Sequence, residues 1–396
     1  MADSFSMDNT TLLNSISYRA RALEASKIRE VAELGMKQDG VLPLWFGEGA
    51  WPTNSLIVDA AIAALKSGNH MYQPNNGVMA LRQAICAYSN KLLGSRLKPA
   101  QVTVTPSGMQ GLMLTAEFLV TPGDRVVAVE PGWPNIIGAF KATGADIASV
   151  AITPKGGHWA LDVEELIAAL TPGTKAVVIN SPNNPSGWTM SAEEQRLVLE
   201  HCRRHCIWIV ADDVYSRLYR HGRHAPSFLS IAEPEDQLIS VNSFSKCWSM
   251  TGWRLGWIVA PAAFEAKLGQ LTEFNTSCTA GFVQEAGIAA LGDGEEEIAS
   301  LLSKIQAGYE ITAERLNTFS RVEFIEPDGA FYCFFRVDGL TDSFAAAGEI
   351  LEQTKVGLAP GVAFGPQGEG YLRLCYAQPA DVLEEAFVRL EPFLSK

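Results

Sequence analysis

Asn242-Ser243-Phe244-Ser245-Lys246, followed by Met250-Thr251-Gly252-Trp253-Arg254-Leu255-Gly256-Trp257, is the stretch on which the reading of this chain turns. A strand-like run, Leu238 to Val241, leads into it. A single lysine therefore leaves a strand among small hydroxyl residues, and an arginine follows eight positions later. Charged residues make up only 19% of the chain, so this pairing stands out from its surroundings. It presents an amine beside a place for an anion. A lysine taken singly after an edge strand is a surface residue, and the rest of the chain decides between the two readings.

Outward from that stretch, residues 55 to 260 alternate amphipathic helical segments with short β-branched runs, the pattern of a mainly parallel sheet wrapped by helices. The expected strands are Gln101 to Thr105, Arg125 to Glu130, Thr174 to Asn180, Ile207 to Ala211, Leu238 to Asn242 and Leu255 to Ala260. Expected helices include Val78 to Leu92, Met109 to Val120, Val163 to Ala169 and Ala192 to His205, the last behind Ser191 as N-cap. A longer helix, Glu295 to Asn317, leads out of this region. The tail then reads strand, helix, strand, helix over Val322 to Val337, Phe344 to Thr354, Tyr371 to Tyr376 and Ala380 to Leu394. The fold class is α/β, with a large domain over 51–300 and a smaller α+β domain built from 301–396 and the N-terminal segment 1–50.

The chain has 396 residues, enough for two such domains. A net charge of -13 argues against nucleic acid as the main ligand, because a phosphate backbone demands a basic face. No run approaches the roughly 18 apolar residues of a membrane span, and Met1 to Asn14 carries no basic and apolar leader pattern. Seven cysteines scattered from Cys86 to Cys375 do not form a disulfide framework in a chain this long. A soluble cytoplasmic protein with reduced thiols is expected. His201-Cys202-Arg203-Arg204-His205-Cys206 has ligand spacing, but its adjacent arginines would repel a cation, and basic residues suit a helix C-terminus; no metal site is expected.

In a parallel α/β sheet, ligands collect beyond the carboxyl ends of the strands. The residues just past those ends are Ser107-Gly108-Met109, Trp133, Asn183-Asn184-Pro185, Asp212 with Tyr215, and Lys246. Each meets one need of pyridoxal phosphate. Amides at a helix start behind Ser107 and Gly108, together with Ser243 and Arg254, suit a phosphate. Asp212 would keep a pyridine nitrogen protonated, which makes the ring an electron sink. Asn184 and Tyr215 can hydrogen-bond the phenolic oxygen, and Trp133 can cover the ring. Lys246 would form the Schiff base and move protons. Singly, each residue has an ordinary structural reading as turn, cap or core. In one order at successive strand ends they make a set, and no G-x-G-x-x-G, G-x-x-x-x-G-K-S/T or G-x-S-x-G supplies a rival chemistry.

These residues resemble the fold type I pyridoxal phosphate enzymes, class I and II aminotransferases, over nearly the whole chain. Ser243-Phe244-Ser245-Lys246 with Arg254 resembles the family's lysine signature and phosphate-binding arginine. Asn180-Ser181-Pro182-Asn183-Asn184-Pro185-Ser186-Gly187 resembles its N-P-T/S-G turn, and Ala211-Asp212-Asp213-Val214-Tyr215 its D-x-x-Y element. The resemblance implies that Arg373, in Tyr371-Leu372-Arg373-Leu374-Cys375-Tyr376-Ala377, grips the substrate α-carboxylate. It further implies that Tyr72 reaches the phosphate of a second subunit, so that a homodimer shares its sites, and that Gly47 lies against the substrate. Transamination between an L-amino acid and a 2-oxo acid such as 2-oxoglutarate follows.

The chain also departs from the family pattern. The usual Gly-Glu-Pro reads Gly47-Glu48-Gly49-Ala50-Trp51-Pro52, and Met109 stands where some relatives that use acidic substrates carry a lysine. Methionine with Trp45, Phe46 and Trp51 favours an apolar or aromatic donor, while Arg29 leaves acidic side chains open. The cofactor motifs equally suit a β-lyase, decarboxylase or synthase of the same fold. A non-enzymatic ligand-binding regulator is the remote alternative.

Overall fold

The computed structural model describes residues 9–395. The first eight residues of the expected N-terminal segment and Lys396 of the C-terminal one lie outside the described residues. An eight-stranded sheet runs in the order Val102–Thr105, Gly256–Val259, Leu238–Ser243, Trp208–Asp212, Thr174–Asn180, Arg125–Glu130, Asp146–Lys155, His158–Leu161. The five strands from Leu238–Ser243 to Asp146–Lys155 are mutually parallel. Gly256–Val259 runs against its neighbours on both sides, which gives Val102–Thr105 the direction of the parallel five.

Successive residues of the central strands face opposite ways, and both faces are buried. Val127, Val177 and Ile209 belong to one apolar core and Val126, Val178 and Val210 to the other. Helices on each side close these cores, which is why the strands read as unbroken apolar runs. Arg125–Glu130, Thr174–Asn180, Val163–Ala169 and Ala192–His205 occupy their expected positions, and Ser191 caps the last in a reciprocal box with Glu194.

A second, four-stranded antiparallel sheet takes the order Val322–Glu323, Tyr332–Val337, Tyr371–Cys375, Ala359–Pro360. Ser343–Thr354 packs on it, and Ala380–Leu394 packs on Glu295–Thr318. The later part of the N-terminal segment joins this body: Leu42–Pro43 pairs in parallel with Val356–Gly357, and the Cys375 amide donates to the Leu44 carbonyl at 3.0 Å, whereas Tyr18–Arg21, expected with the smaller domain, packs on the helix Pro134–Thr143 of the large one.

Three expectations differ from the structure. Asp146–Lys155 and His158–Leu161 form a hairpin at the sheet edge, where one face is largely exposed and the apolar alternation fades. Val322 to Val337 is two strands separated by a loop that turns at Gly329 and Ala330, Ala330 having φ 58°. Gly256–Val259 is antiparallel within a sheet that was otherwise read as parallel.

That reversal has a steric condition. Gly256 pairs with Ser243 on one side and Thr105 on the other. A Cβ built on it would stand 2.5 Å from the Gly108 nitrogen and 2.7 Å from the Asn242 carbonyl oxygen. Only glycine lets three backbones meet here. Gly256→Ala should lower the midpoint of thermal unfolding by the equivalent of about 1–3 kcal/mol, the usual cost of overpacking. Gly252→Ala, whose added methyl meets nothing within 4 Å, should leave it nearly unchanged.

Candidate active site

Six strands point their carboxyl ends the same way, and the reversed strand begins at that edge, so Arg254 arrives beside Ser243. Lys246, Asp212, Tyr215, Asn184, Ser243 and Arg254 line a cavity of about 310 Å³. Gly108, Met109 and Trp133 complete the wall from the large sheet, and Gly47, Tyr332 and Arg373 close it from the other body.

One corner of the cavity suits an anion. Ser107 caps the helix Gly108–Leu119, its Oγ accepting the Gln110 amide at 3.1 Å. Ser107 has φ 113° and ψ 159°, a region that costs a non-glycine residue about 1–3 kcal/mol and points to function. The strain leaves the first helical amides, Gly108 and Met109, without carbonyl partners at the positive end of the helix dipole. Ser243 Oγ lies 2.8 Å from Ser245 Oγ and accepts the Ser245 amide at 3.1 Å. Arg254, exposed and in left-handed conformation, donates to the Thr251 carbonyl and sits at the same corner.

Asp212 ends its strand buried, and among the described residues its carboxylate takes one hydrogen bond, from the Val214 amide at 3.2 Å. Burial pushes its carboxyl up to about 7, helped by the charge of Asp213 and opposed by the Val214 amide and Lys246. Asp213 turns the other way and accepts the Ser240 and Ser227 hydroxyls at 2.8 and 3.2 Å. The Asp-Asp pair thus splits into one carboxylate satisfied by hydroxyls and one left waiting for a cation.

The Tyr215 hydroxyl meets the Tyr332 hydroxyl at 2.6 Å. The Asn184 amide nitrogen of the backbone donates to Asn180 Oδ1 at 2.8 Å, and Asn184 Oδ1 accepts from Arg373 Nη1 at 2.8 Å. Trp133 stands at the start of the helix Pro134–Thr143 and packs against the second core. Lys246 Nζ donates to the Gly47 carbonyl and lies 5.9 Å from the centres of the Tyr215 and Phe331 rings. Burial holds its amine down at about 8; the positive charges of Arg373 and Arg254 push the same way, while Cys375 and Glu48 oppose.

Arg373 is 2% exposed on the strand Tyr371–Cys375. It donates to Asn184 and to the Trp45 carbonyl, its Nε has no partner, and its guanidinium lies 4.5 and 4.9 Å from the Tyr332 and Phe364 ring centres. Among the described residues no carboxylate forms an ion pair with it. A buried guanidinium held only by neutral acceptors and ring faces is a receptor for a carboxylate.

The sequence-expected residues converge with two exceptions. Ser107 lies behind the cavity wall as the helix cap, and Tyr72 is 89% exposed, away from its own chain's cavity. Tyr332 and Gly256 were not anticipated. Tyr332 read only as part of a strand, and nothing local tells which face of that strand meets the large sheet. Gly47 depends on it, since a Cβ there would fall 1.9 Å from the Tyr332 hydroxyl.

Pyridoxal phosphate fits this donor set. Among the described residues Asp212 forms no ion pair and a ring nitrogen would supply its cation, the amides at the helix corner suit an anion, and Lys246 is an amine whose pKa is lowered to about 8. The family described as aminotransferase class I and II matches residues 43–390. The chain is 33% identical over 383 residues to an aspartate aminotransferase of Pyrococcus horikoshii, covering 96% of this chain and 97% of that one. It is 30% identical to aromatic-amino-acid aminotransferase 2 of Thermococcus litoralis, covering 96% and 98%. A solved aspartate aminotransferase of Thermus thermophilus, a single mutant, superposes with a TM-score of 0.90 at 28% identity, covering 96% and 100%.

The raised carboxyl of Asp212 has a signed consequence for the cofactor-free protein. A folded pKa of about 7 above the ordinary 3.8 means that its stability contribution is present below the unfolded value and lost as pH rises through the folded one. Asp212→Asn should therefore raise the melting temperature of the apoprotein at pH 8, with the gain vanishing as pH falls towards the unfolded value. Added pyridoxal phosphate should stabilise the native protein more than the variant.

Proposed function

The chain belongs to the class I and II aminotransferases, amino-acid transaminases that work with pyridoxal phosphate, and on that premise we propose that Lys246 is the cofactor's covalent anchor and the proton carrier of the reaction. When bound, the cofactor supplies an aldehyde carbon and a protonated ring that draws electrons from the bond broken at the substrate α-carbon. The amides of Gly108 and Met109, with Ser107, Ser243 and Arg254, hold its phosphate. Asp212 holds the ring nitrogen's proton, Asn184 and Tyr215 hydrogen-bond the phenolic oxygen, and Trp133 covers the ring.

One observation carries this assignment: an amine with a lowered pKa and a buried guanidinium with no carboxylate partner among the described residues line the same cavity. Arg373 takes the α-carboxylate, with Asn184 and Gly47 beside it. That grip would bring the α-hydrogen towards Lys246, whose free base would remove the proton and hold it for return, the cofactor supplying the carbon that takes it when bound. Water would release the keto acid and leave the amino group behind, and a 2-oxo acid such as 2-oxoglutarate would take that group as the same steps run in reverse, a ping-pong cycle. Met109 offers no charge partner to an acidic donor and Trp51 adds an apolar wall, which together suit an apolar or aromatic donor. The division into a large domain over 51–300 and a small one from 301–396 with 1–50 lets Arg373 couple substrate binding to closure.

A second copy of the chain completes the site in this reading. Tyr72, Met71 and Phe274 are 89%, 72% and 87% exposed. The Gln73 amide meets Cys278 Sγ at 3.2 Å, which ties the Tyr72 loop to the end of the helix carrying Phe274. Gln110, in the first turn behind the anion corner, bonds Asn275 at 2.6 Å, so this apolar patch borders the site. Tyr72 then reaches the phosphate of the partner subunit. Cytoplasmic residence accords with seven free cysteines, and no helix among the described residues is long and apolar enough to cross a membrane.

Lys246→Ala should abolish the visible absorbance of the lysine-bound cofactor and turnover together; an unchanged spectrum would sink the assignment. Arg373→Ala should lower kcat/KM for any α-amino acid by about 100-fold or more, the loss expected for one arm of a desolvated charge pair. Sedimentation of the native protein should give a dimer, and Tyr72→Ala should weaken cofactor retention without dissociating it.

A further inference from the structure

A transaminase whose donor is apolar and whose acceptor is a diacid must receive two unlike side chains at one lysine. Lys246 borders two cavities, and the second is not part of the cofactor site. It measures about 590 Å³; Trp51, Trp253, Phe282, Leu301, Ile305 and Phe331 make its apolar walls, and the hydroxyl residues Thr53, Ser245, Ser249 and Thr251 line the rest. Leu301 and Ile305 are four residues apart on the helix Glu295–Thr318, and Phe282 lies in the first turn of Gly281–Asp293. Among the described residues the only charged side chain lining it besides Lys246 is Glu48, which accepts the Thr251 hydroxyl. The nearby ammonium of Lys304 lies 5.7 Å from the centre of the Trp51 ring, on that ring rather than on the cavity wall. An acidic side chain would meet a like charge in this chamber and no guanidinium.

The cofactor cavity offers the opposite chemistry. Arg29, from the helix Lys27–Gly35, borders it and lies 5.8 Å from the centre of the Phe46 ring. Among the described residues no carboxylate is in ion-pair range of it. The segment Phe46-Gly47-Glu48 is the partition between the two spaces: Phe46 faces the cofactor cavity, Glu48 and Trp51 face the chamber, and the Gly47 carbonyl between them takes the Lys246 ammonium.

We propose that the two substrates share the Arg373 clamp and Lys246 but send their side chains to opposite sides of this partition, a bulky apolar or aromatic donor into the Trp51–Phe282 chamber and the distal carboxylate of a diacid 2-oxo acid to Arg29. The proposal rests on the transaminase reading above. Rotation about the Cα–Cβ bond is enough to choose a side while the α-carboxylate stays in place. No residue has to move away to admit the second substrate, because each side chain has its own walls.

Unreactive analogues test the partition on the holoenzyme, with calorimetry as the readout. Trp51→Ala and Phe282→Ala should each weaken 3-phenylpropionate by about 10-fold or more, the scale of a lost apolar contact in a pocket, and leave glutarate unaffected. Arg29→Ala should weaken glutarate by about 10-fold or more through loss of its charge partner and leave 3-phenylpropionate unaffected. In turnover the same variants should raise KM for one substrate only. A common loss of both analogues in each variant would mean a single shared subsite and overturn the proposal, as would no loss in any. If no L-amino acid converts the lysine-bound cofactor of the native protein, the transaminase reading itself fails, an outcome distinct from an uncrossed pattern.

Discussion

Three charged groups, Lys246, Asp212 and Arg373, surround one cavity without pairing with one another, and this constraint organises the molecule. Left in contact they would neutralise each other, and the site would have nothing to offer a ligand. Their separation is costly: burial raises Asp212, lowers Lys246 and leaves Arg373 Nε without a partner. In the proposed reading the ligands would supply what is missing, a ring cation for Asp212, a carboxylate for Arg373 and an electrophilic carbon for the lysine. The apoprotein is thus electrostatically incomplete in a way that fits the bound state.

Such an arrangement needs a stiff frame. Asp212 ends one strand of the large sheet and Lys246 follows the end of the next, while Arg373 belongs to a second sheet that meets the large one across the cavity. The two bodies are joined at the site by the Arg373 to Asn184 hydrogen bond and by the contact between the Tyr332 and Tyr215 hydroxyls. Ser107 and Gly256 store the local cost of the anion corner, one in backbone strain and the other in the absence of a side chain. The same frame gives Lys246 two neighbouring spaces, divided by a loop of three residues. That division is where chemistry common to all amino acids gives way to the choice among them.

Much of this is legible from residue order. The strands Arg125–Glu130 and Thr174–Asn180 and the helices Val163–Ala169 and Ala192–His205 follow from periodicity and caps, because those signals act over a few residues. The strand-end inventory from Ser107 to Lys246 is legible for a related reason: in a parallel sheet, position along the chain fixes which edge a residue reaches. The hairpin Asp146–Lys155 with His158–Leu161 escapes this reading, since an exposed edge strand does not need the apolar alternation that marks buried ones. Tyr332 escapes it too, because its role depends on a face chosen by packing against another sheet.

The sequence alone determined the order of elements, the α/β class and the set of groups delivered to one edge of the sheet, all of which depend on local pattern and chain direction. Only the tertiary structure decided that Asp212 and Asp213 part company, that Arg373 is left without an anion, and that Phe46-Gly47-Glu48 divides two cavities at the lysine. Those outcomes depend on distances between segments far apart in the chain. Burial, steric fit and charge act there through space, and no window of sequence contains them.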